Sequence, residues 1–130
     1  MRVLQPASWR RPCGYANGMS GDGRVVFVSG QIGWDAEGRI VSDDLAEQIA
    51  QALRNIVAVL AEAGAGPEHV ARLTWYLTDI DDYMAHQAEV GAAYRKVIGR
   101  HFPVMAVVQV VRLVEARALV EIEATAVRPA

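Results

Sequence analysis

The chain has 130 residues, a net charge of −2 and a hydrophobic fraction of 52%. This length predicts one domain, residues 1–130, that buries roughly two-thirds of its unfolded surface. The near-neutral charge, with no basic cluster larger than Arg10-Arg11, argues against binding to nucleic acid or to an anionic membrane. The single cysteine, Cys13, excludes an internal disulfide. With no N-terminal apolar region and no run of about 18 apolar residues, we expect a cytoplasmic protein.

The first predicted elements form a β-hairpin. Residues 20–23 contain an Asp-Gly pair, which tolerates the positive φ that a tight hairpin turn requires. The turn would join a strand near residues 13–19 to the apolar run at residues 25–28. The second of these strands leads directly into Ser29 and Gly30.

A long helix is predicted next, because apolar residues recur at three- and four-residue spacing: Leu45, Ile49, Leu53, Ile56, Leu60 and Ala63. Asp44 and Glu47 resemble a capping box, and Gly64 is placed to end the helix in the left-handed conformation. Residues 73–78 then alternate as a half-buried strand. Strand, helix and strand predict a right-handed crossover between parallel strands.

A second helix is predicted to start after Asp79 or Asp81. One stripe of this helix carries five residues: Tyr83, Gln87, Val90, Tyr94 and Val97. The amide of Gln87 is polar on an otherwise inward stripe, so it either binds a neighbouring backbone group or lines a pocket. The nearby aspartates lack the spacing of a calcium loop and are interpreted as helix caps.

Two closing strands complete the predicted fold. Residues 104–113 form a β-branched apolar run that is typical of a strand covered on both faces. Residues 119–127 alternate, which places Glu121 and Glu123 on one face of their strand. The order ββ-α-β-α-ββ predicts an α+β sandwich with a mixed sheet and two helices packed on one face. The other face needs a cover, and self-association is the economical solution.

Metal and nucleophile chemistry finds little support in the sequence. His69, His86 and His101 lack metal-ligand spacing, and Cys13 is remote in sequence from all three. From the sequence pattern alone, Glu121 and Glu123 are explained by a solvent-exposed strand face. Tyr15 and Ser29 also have ordinary structural interpretations, as strand packing and as the end of a strand.

The order of several short segments gives a clearer indication. They are Gly14-Tyr15, Val28-Ser29-Gly30-Gln31, Ala52-Leu53-Arg54-Asn55-Ile56, Phe102-Pro103 and Val120-Glu121-Ile122-Glu123-Ala124. Together they resemble the Rid family, also called YjgF, of reactive intermediate imine and enamine deaminases. The resemblance extends from about residue 13 to residue 128.

The resemblance implies a chorismate-mutase-like fold assembled as a homotrimer, with a cleft between each pair of subunits. In such clefts, active members hydrolyse small imino or enamino acids to a keto acid and ammonia, with no metal or organic cofactor. Glu121 matches the family's glutamate thought to position the attacking water. Tyr15 and Ser29 with Gly30 match residues that line the cleft, and Gln87 stands where asparagine is frequent.

One position departs from the family pattern. The resemblance implies an arginine directly after the Pro-Ala that corresponds to Pro103-Val104, where it would bind the substrate carboxylate through its planar fork. This chain has Met105 there. Met105 and Val107 share strand parity, so this wall of the cleft should be apolar. Arg72 and Arg100 are candidate replacements, although nothing in the sequence places them in the cleft.

Three interpretations follow. In the first, the chain is a deaminase or related hydrolase with an altered preference among small imine or enamine metabolites, for a substrate whose carboxylate is absent or is held by another arginine. In the second, it is a non-catalytic trimer that binds an apolar or aromatic small molecule on the same scaffold. In the third, it has an endoribonuclease or translation-inhibitor activity, as relatives have been described. The missing basic patch argues against the third interpretation.

Overall fold

A four-stranded mixed β-sheet with helices packed on one face forms the body of the molecule. The computed structural model describes all 130 residues. Its elements are β1 (Arg2–Leu4), β2 (Gly18–Ser20), β3 (Arg24–Gln31), α1 (Leu45–Glu62), a 3₁₀ turn (Pro67–His69), β4 (Val70–Leu77), α2 (Ile80–Ala85), α3 (Gln87–Val97), β5 (Val104–Gln109) and β6 (Val120–Arg128). No helix is both long enough and apolar enough to cross a membrane.

The strand order in the main sheet is β3-β6-β4-β5. β6 is antiparallel to both of its neighbours, β3 and β4, so these two strands run parallel to each other, as the predicted crossover requires. β4 and β5 are also parallel, with α2 and α3 connecting them. β1 and β2 form a separate antiparallel pair, which joins the sheet edge through a single bridge between Ala16 and Val104.

α1 provides the main apolar layer over the sheet, and its limits are those predicted. The Asp44 carboxylate accepts a hydrogen bond from Glu47 N at 3.0 Å, which caps the N-terminus. Beyond the C-terminus, Gly64 has a φ of 67°, a conformation that favours glycine. The side chains that recur at helical spacing, Ile49, Leu53 and Ile56, are fully buried against the sheet.

Alternation along the strands separates a buried face from an open face. In β6, four residues are buried beneath the helices: Val120, Ile122, Ala124 and Ala126. The residues between them, including Glu121 and Glu123, lie on the opposite, open face. Phe27 on that face is 78% exposed, and Val108 is 43% exposed. The predicted uncovered face is therefore present in the single chain.

The predicted hairpin between residues 13 and 28 is wrong. β2 pairs with β1, an element that the sequence did not reveal, and β3 pairs with β6 instead. The Asp-Gly turn is a local indication and does not determine which strand lies alongside. β6 offers β3 a long partner, with registered pairs from Arg24↔Arg128 to Val28↔Ala124, whereas β2 has only three residues.

The predicted second helix is divided into α2 and α3 at His86, which has a non-helical backbone (φ −124°, ψ 35°). Two side chains contact main-chain carbonyl oxygens of the preceding turn. His86 Nδ1 lies 2.8 Å from Asp82 O, and Gln87 Nε2 donates to Tyr83 O at 2.8 Å. Such contacts compete with the main-chain bonds that would continue a helix. Asp79 caps α2 by accepting from Asp81 N and Asp82 N, as the capping interpretation requires.

β5 is shorter than predicted and is not covered on both faces. It ends at Gln109, and Ala106 and Val108 are exposed. Its position at the edge of the sheet explains this, because β4 is its only full neighbour and the open face has no second layer. The apolar character of these residues is therefore available for contact with another chain.

Gln48 is a fully buried polar side chain that ties α1 to the segment preceding β6. Its Nε2 donates to Ser42 O at 2.8 Å and to Arg117 O at 3.1 Å, and its Oε1 accepts from Leu119 N at 2.8 Å. All of its main hydrogen-bonding capacity is therefore used, and the start of β6 is fixed relative to the helix.

We expect Gln48→Met to lower the free energy of unfolding by about 2–4 kcal/mol, because three partly buried backbone groups lose their partner. Urea denaturation measures this change. Gln51→Met, on the same helix, is the matched control, since its hydrogen bonds reach only Asn55 and Arg54 of that helix. Equal losses in the two variants would contradict a special role for Gln48.

Candidate functional site

A cleft of about 630 Å³ lies between α3, β5 and the segment that precedes β2. This volume is in the range of small-molecule sites. Fourteen residues line it: Pro12, Cys13, Gly14, Tyr15, Trp75, Tyr83, Gln87, Val90, Gly91, Tyr94, Arg95, Phe102, Met105 and Val107. Four of them, Tyr15, Gln87, Met105 and Val107, are predicted site residues. We call this the aromatic cleft.

The β5 wall of the aromatic cleft is apolar, and strand parity explains why. Met105 pairs with Leu73 and Val107 pairs with Trp75, so both side chains project from the helix-covered face. Both are partly buried and pack against the main core. A thioether and an isopropyl group therefore form this wall, and neither can hold a charged ligand group.

Three aromatic rings give the cleft its floor. The ring centroids of Trp75 and Tyr94 are 6.3 Å apart, and those of Tyr94 and Phe102 are 5.6 Å apart, with both pairs stacked. Tyr94 donates to His101 O at 2.6 Å, and burial raises the pKa of its phenol. Trp75 is only 3% exposed, and its Nε1 has no hydrogen-bond partner. A buried donor without a partner is uncommon in a folded protein.

Gln87 and Tyr15 add polar groups to the rim of the aromatic cleft. The Gln87 side chain is exposed, and because its Nε2 donates to Tyr83 O, the predicted backbone contact and the predicted pocket position are both present. Tyr15 is 44% exposed, and its phenol makes no hydrogen bond within the chain. Both groups are therefore able to contact a ligand from solvent.

A second group of predicted site residues lies elsewhere, where β3 meets β6. The pairing of these strands shifts register between Val28 and Gln31, so Ser29 and Gly30 lie in a β-bulge. A Cβ at Gly30 would come 2.5 Å from Oε2 of Glu121 and 2.7 Å from its Cδ. Only glycine therefore allows the Glu121 carboxylate to lie against this backbone.

The surroundings of the bulge are held from α1. Asn55 donates from Nδ2 to Ile32 O at 3.2 Å and to Trp34 O at 2.9 Å. Gly33 packs so closely on α1 that a Cβ there would lie 2.7 Å from Gln48 Cα. The chain that follows Gly30 is thus fixed by the helix, which in turn positions the bulge against Glu121.

Within one chain, the residues of the aromatic cleft and the residues around Glu121 and Gly30 do not form a single site. Glu121 pairs with Tyr76 on the open face, whereas Met105 pairs with Leu73 on the helix-covered face. β4 also separates their strands. Ser29 lines a different depression, on the open face beside Arg72 and Glu123. Arg100 lies in a third depression, so neither Arg72 nor Arg100 lines the aromatic cleft.

The two carboxylates of β6 have different surroundings. Glu123 accepts a hydrogen bond from the Tyr76 hydroxyl at 2.7 Å, and this bond raises the pKa of Tyr76. Glu121 makes no hydrogen bond within the chain and lies against Gly30. Glu121 is therefore the carboxylate that is free to contact water or a ligand.

Sequence reasoning missed several residues of the aromatic cleft, namely Cys13, Trp75, Arg95 and Phe102. Phe102 was noticed only as part of a family segment. Trp75 could have been found, because strand parity places it beside Val107 once β4 and β5 are known to be neighbours. Arg95 follows Gln87 by eight residues, which puts both on one side of a helix.

His86, at the break between α2 and α3, gives a testable pH dependence. A hydrogen bond to the Asp82 carbonyl is the main cause that raises its pKa above 6.5, and the Asp82 and Glu89 carboxylates add to it. The protonated ring therefore stabilises the junction fully below pH 6.5, and this contribution is lost as the pH rises through the raised pKa. NMR titration of the His86 ring should show a midpoint above 6.5. Asp82→Asn should lower it only in part, since the carbonyl remains.

No group of three or more His, Cys, Asp or Glu side chains is arranged to hold a metal ion. The polar groups near the aromatic cleft and at Gly30 suit an organic ligand and water. The chain is therefore an α+β protein with an apolar cleft, a carboxylate without a hydrogen bond beside a bulged strand pair and an open sheet face.

Comparison with known proteins identifies the family. Residues 10–128 match the family model described as Endoribonuclease L-PSP. A RutC family protein of Pyrococcus abyssi is 39% identical over 105 residues, which cover 80% of this chain and 79% of the relative. The human 2-iminobutanoate/2-iminopropanoate deaminase is 36% identical over 106 residues, with 81% and 74% covered.

Solved structures agree. The Rid family protein YyfB of Yersinia pestis superposes with a TM-score of 0.83 at 33% identity, covering 98% of each chain. The chain belongs to the Rid family, also called YjgF, and has the YjgF-type α+β fold.

Proposed function

We propose that the chain is a homotrimeric hydrolase that deaminates imine or enamine metabolites in clefts between its subunits. The substrate preference differs from that of a small imino acid deaminase, because Met105 forms an apolar wall. The aromatic cleft favours an imine with a bulky apolar or aromatic side chain. The human relative that carries the name of an iminobutanoate/iminopropanoate deaminase supports the reaction type.

The chemistry needs few groups. Water adds to the electrophilic imine carbon while a base accepts its proton and passes it to the nitrogen, which gives a carbinolamine. The hydroxyl proton of the carbinolamine then moves through the same base to the nitrogen as the C–N bond breaks, so the carbonyl forms and ammonia leaves. Glu121 would hold the water and accept its proton. The Gly30 backbone fixes the position of this carboxylate. Tyr15 and Gln87 supply hydroxyl and amide groups that would orient the substrate beside it.

The observation that carries this proposal is that the aromatic cleft and the Glu121 carboxylate lie apart from each other on one chain. Glu121 and Gly30 are on the open face, and the aromatic cleft is on the helix-covered side of the far sheet edge. If the aromatic cleft of one copy contacts the open face of the next, the two parts of the site meet. Repeated around a ring of three copies, this contact uses both surfaces of every copy. The exposed Phe27 and the edge strand β5 supply apolar area for that contact.

Hydrolysis of imines generated in situ by an amino-acid oxidase tests the proposal. Release of ammonia is measured for side chains of increasing size and polarity, with size-exclusion chromatography to verify a trimer. We expect turnover for aromatic and bulky apolar imines and little for the smallest. No acceleration over the spontaneous rate for any imine, from a folded trimer, would overturn the proposal.

Met105→Arg is an informative variant in the same assay. An arginine at this position of β5 would project into the aromatic cleft and bring a bidentate donor to a carboxylate. We expect activity on small imino acids to rise about ten-fold or more, the effect of one charge-assisted contact. If their KM does not fall, position 105 does not face the carboxylate of the bound substrate.

A second candidate is a trimer that binds a small molecule without turnover. It is favoured by the composition of the aromatic cleft, which has aromatic, apolar and amide groups but no carboxylate. The imine assay separates the two candidates. Net charge gives no support to an RNA-directed activity.

A further inference from the structure

Arg95 is the only charged residue among the fourteen that line the aromatic cleft. We propose that its guanidinium binds the carboxylate of an aromatic or bulky apolar imino acid, which makes Arg95 a specificity-determining residue. The donor would then come from helix α3, on the opposite wall from Met105. Because it takes the ligand to be an imino acid, this inference rests on the proposed function.

The position of Arg95 depends on a glycine one helical turn earlier. Gln87, Gly91 and Arg95 follow one another at four-residue spacing and all line the aromatic cleft. A Cβ at Gly91 would lie 3.1 Å from Nη1 of Arg95. The guanidinium therefore lies back over Gly91, in the direction expected for a long side chain on a helix, and occupies space that any other residue would fill.

The guanidinium has no partner within the chain. The ion pairs of the structure join His69 to Glu68, His86 to Asp82 and Arg117 to Asp43, and none involves Arg95. Its side chain also makes no hydrogen bond. All five N–H donors are free, and their planar arrangement matches a carboxylate.

The rest of the aromatic cleft strengthens this preference. Trp75, Tyr94 and Phe102 form a stacked floor, and Met105 and Val107 close the opposite side. Arg95 itself is exposed at the edge of the cleft, where it would contact the anionic end of a ligand whose apolar part lies on the floor. An aromatic ligand with one anionic group uses both the apolar floor and the single cation.

Calorimetric binding of phenylacetate and phenylacetamide tests the role of Arg95. The two probes share their ring and shape and differ in charge. We expect the wild-type chain to prefer phenylacetate. Arg95→Gln should weaken phenylacetate binding about 10- to 100-fold, the loss of a charge-assisted contact, and leave phenylacetamide unchanged. Arg95→Lys keeps the charge without the planar fork and should fall between the two.

Lys96→Gln is the matched control, since Lys96 is the next residue of the same helix, lines a depression that shares no residue with the aromatic cleft, and should not affect either probe. Failure of the wild-type chain to bind phenylacetate, or equal binding by Arg95→Gln, would overturn the inference. Binding needs no turnover. Charge-selective binding without imine hydrolysis would support the role of Arg95 and contradict the proposed function. Imine hydrolysis that does not depend on Arg95 would support the proposed function and contradict the role of Arg95.

Discussion

Glu121→Gln is expected to lower kcat for imine hydrolysis by at least about 100-fold, the usual contribution of a general base. The amide keeps the size of the side chain and its place against Gly30, but it cannot accept a proton from water. Because Glu121 makes no hydrogen bond within the chain, its replacement leaves no buried group unpartnered. We therefore expect the melting temperature and the proposed trimeric assembly to be unchanged. Rates of ammonia release measure kcat, circular dichroism measures the melting temperature, and size-exclusion chromatography measures the assembly.

Glu123→Gln provides the control on the same strand and the same face. Glu123 accepts from the Tyr76 hydroxyl, and a glutamine oxygen accepts equally well. We expect nearly full activity from this variant. If Glu121→Gln keeps wild-type turnover, Glu121 has no part in the mechanism. If both variants lose activity equally, the cause is the charge of the open face as a whole.

The sequence predicted the elements whose determinants are local. α1 follows from apolar spacing, the Asp44 cap and the left-handed Gly64. β6 follows from its alternation, which correctly placed Glu121 and Glu123 on one face. In each case the signal is local: spacing and caps within the helix for α1, and alternation between neighbouring residues for β6.

Elements that depend on distant partners were predicted less well. The hairpin prediction failed because β3 pairs with β6, about a hundred residues later in the chain, and β1 is too short to carry a pattern. The division between α2 and α3 depends on side-chain contacts of His86 and Gln87 that compete with the helix. No periodicity in the sequence encodes such a competition.

The candidate site shows the same difference between local features, which the sequence predicted, and features that depend on distant partners. Parity along β5 correctly grouped Met105 with Val107, since both facts lie within one strand. The separation of Glu121 from these residues depends on the strand order, which periodicity does not give. Arg95 was overlooked because the predicted stripe of its helix ran through Tyr94, and the space for its side chain arises from Gly91.

Mixing two inactive variants is expected to restore activity if the site lies between subunits. Glu121→Gln removes the carboxylate, and Gly91→Trp fills the aromatic cleft with an indole ring. The three atoms nearest to a Cβ at position 91 all belong to the Arg95 guanidinium, the flexible end of an exposed side chain, so we expect the indole to displace this group and leave the core in place. Each variant alone should form trimers with almost no turnover.

In trimers assembled at random from equal amounts, half of the clefts are unblocked, and half of those face an intact Glu121 of a neighbour. Co-refolded mixtures should therefore recover about a quarter of the wild-type rate. A chain with both substitutions, mixed with Glu121→Gln, contains no intact carboxylate and should recover nothing. No recovery in the first mixture, with mixed trimers verified by mass spectrometry, would mean that the aromatic cleft and Glu121 do not act together across an interface.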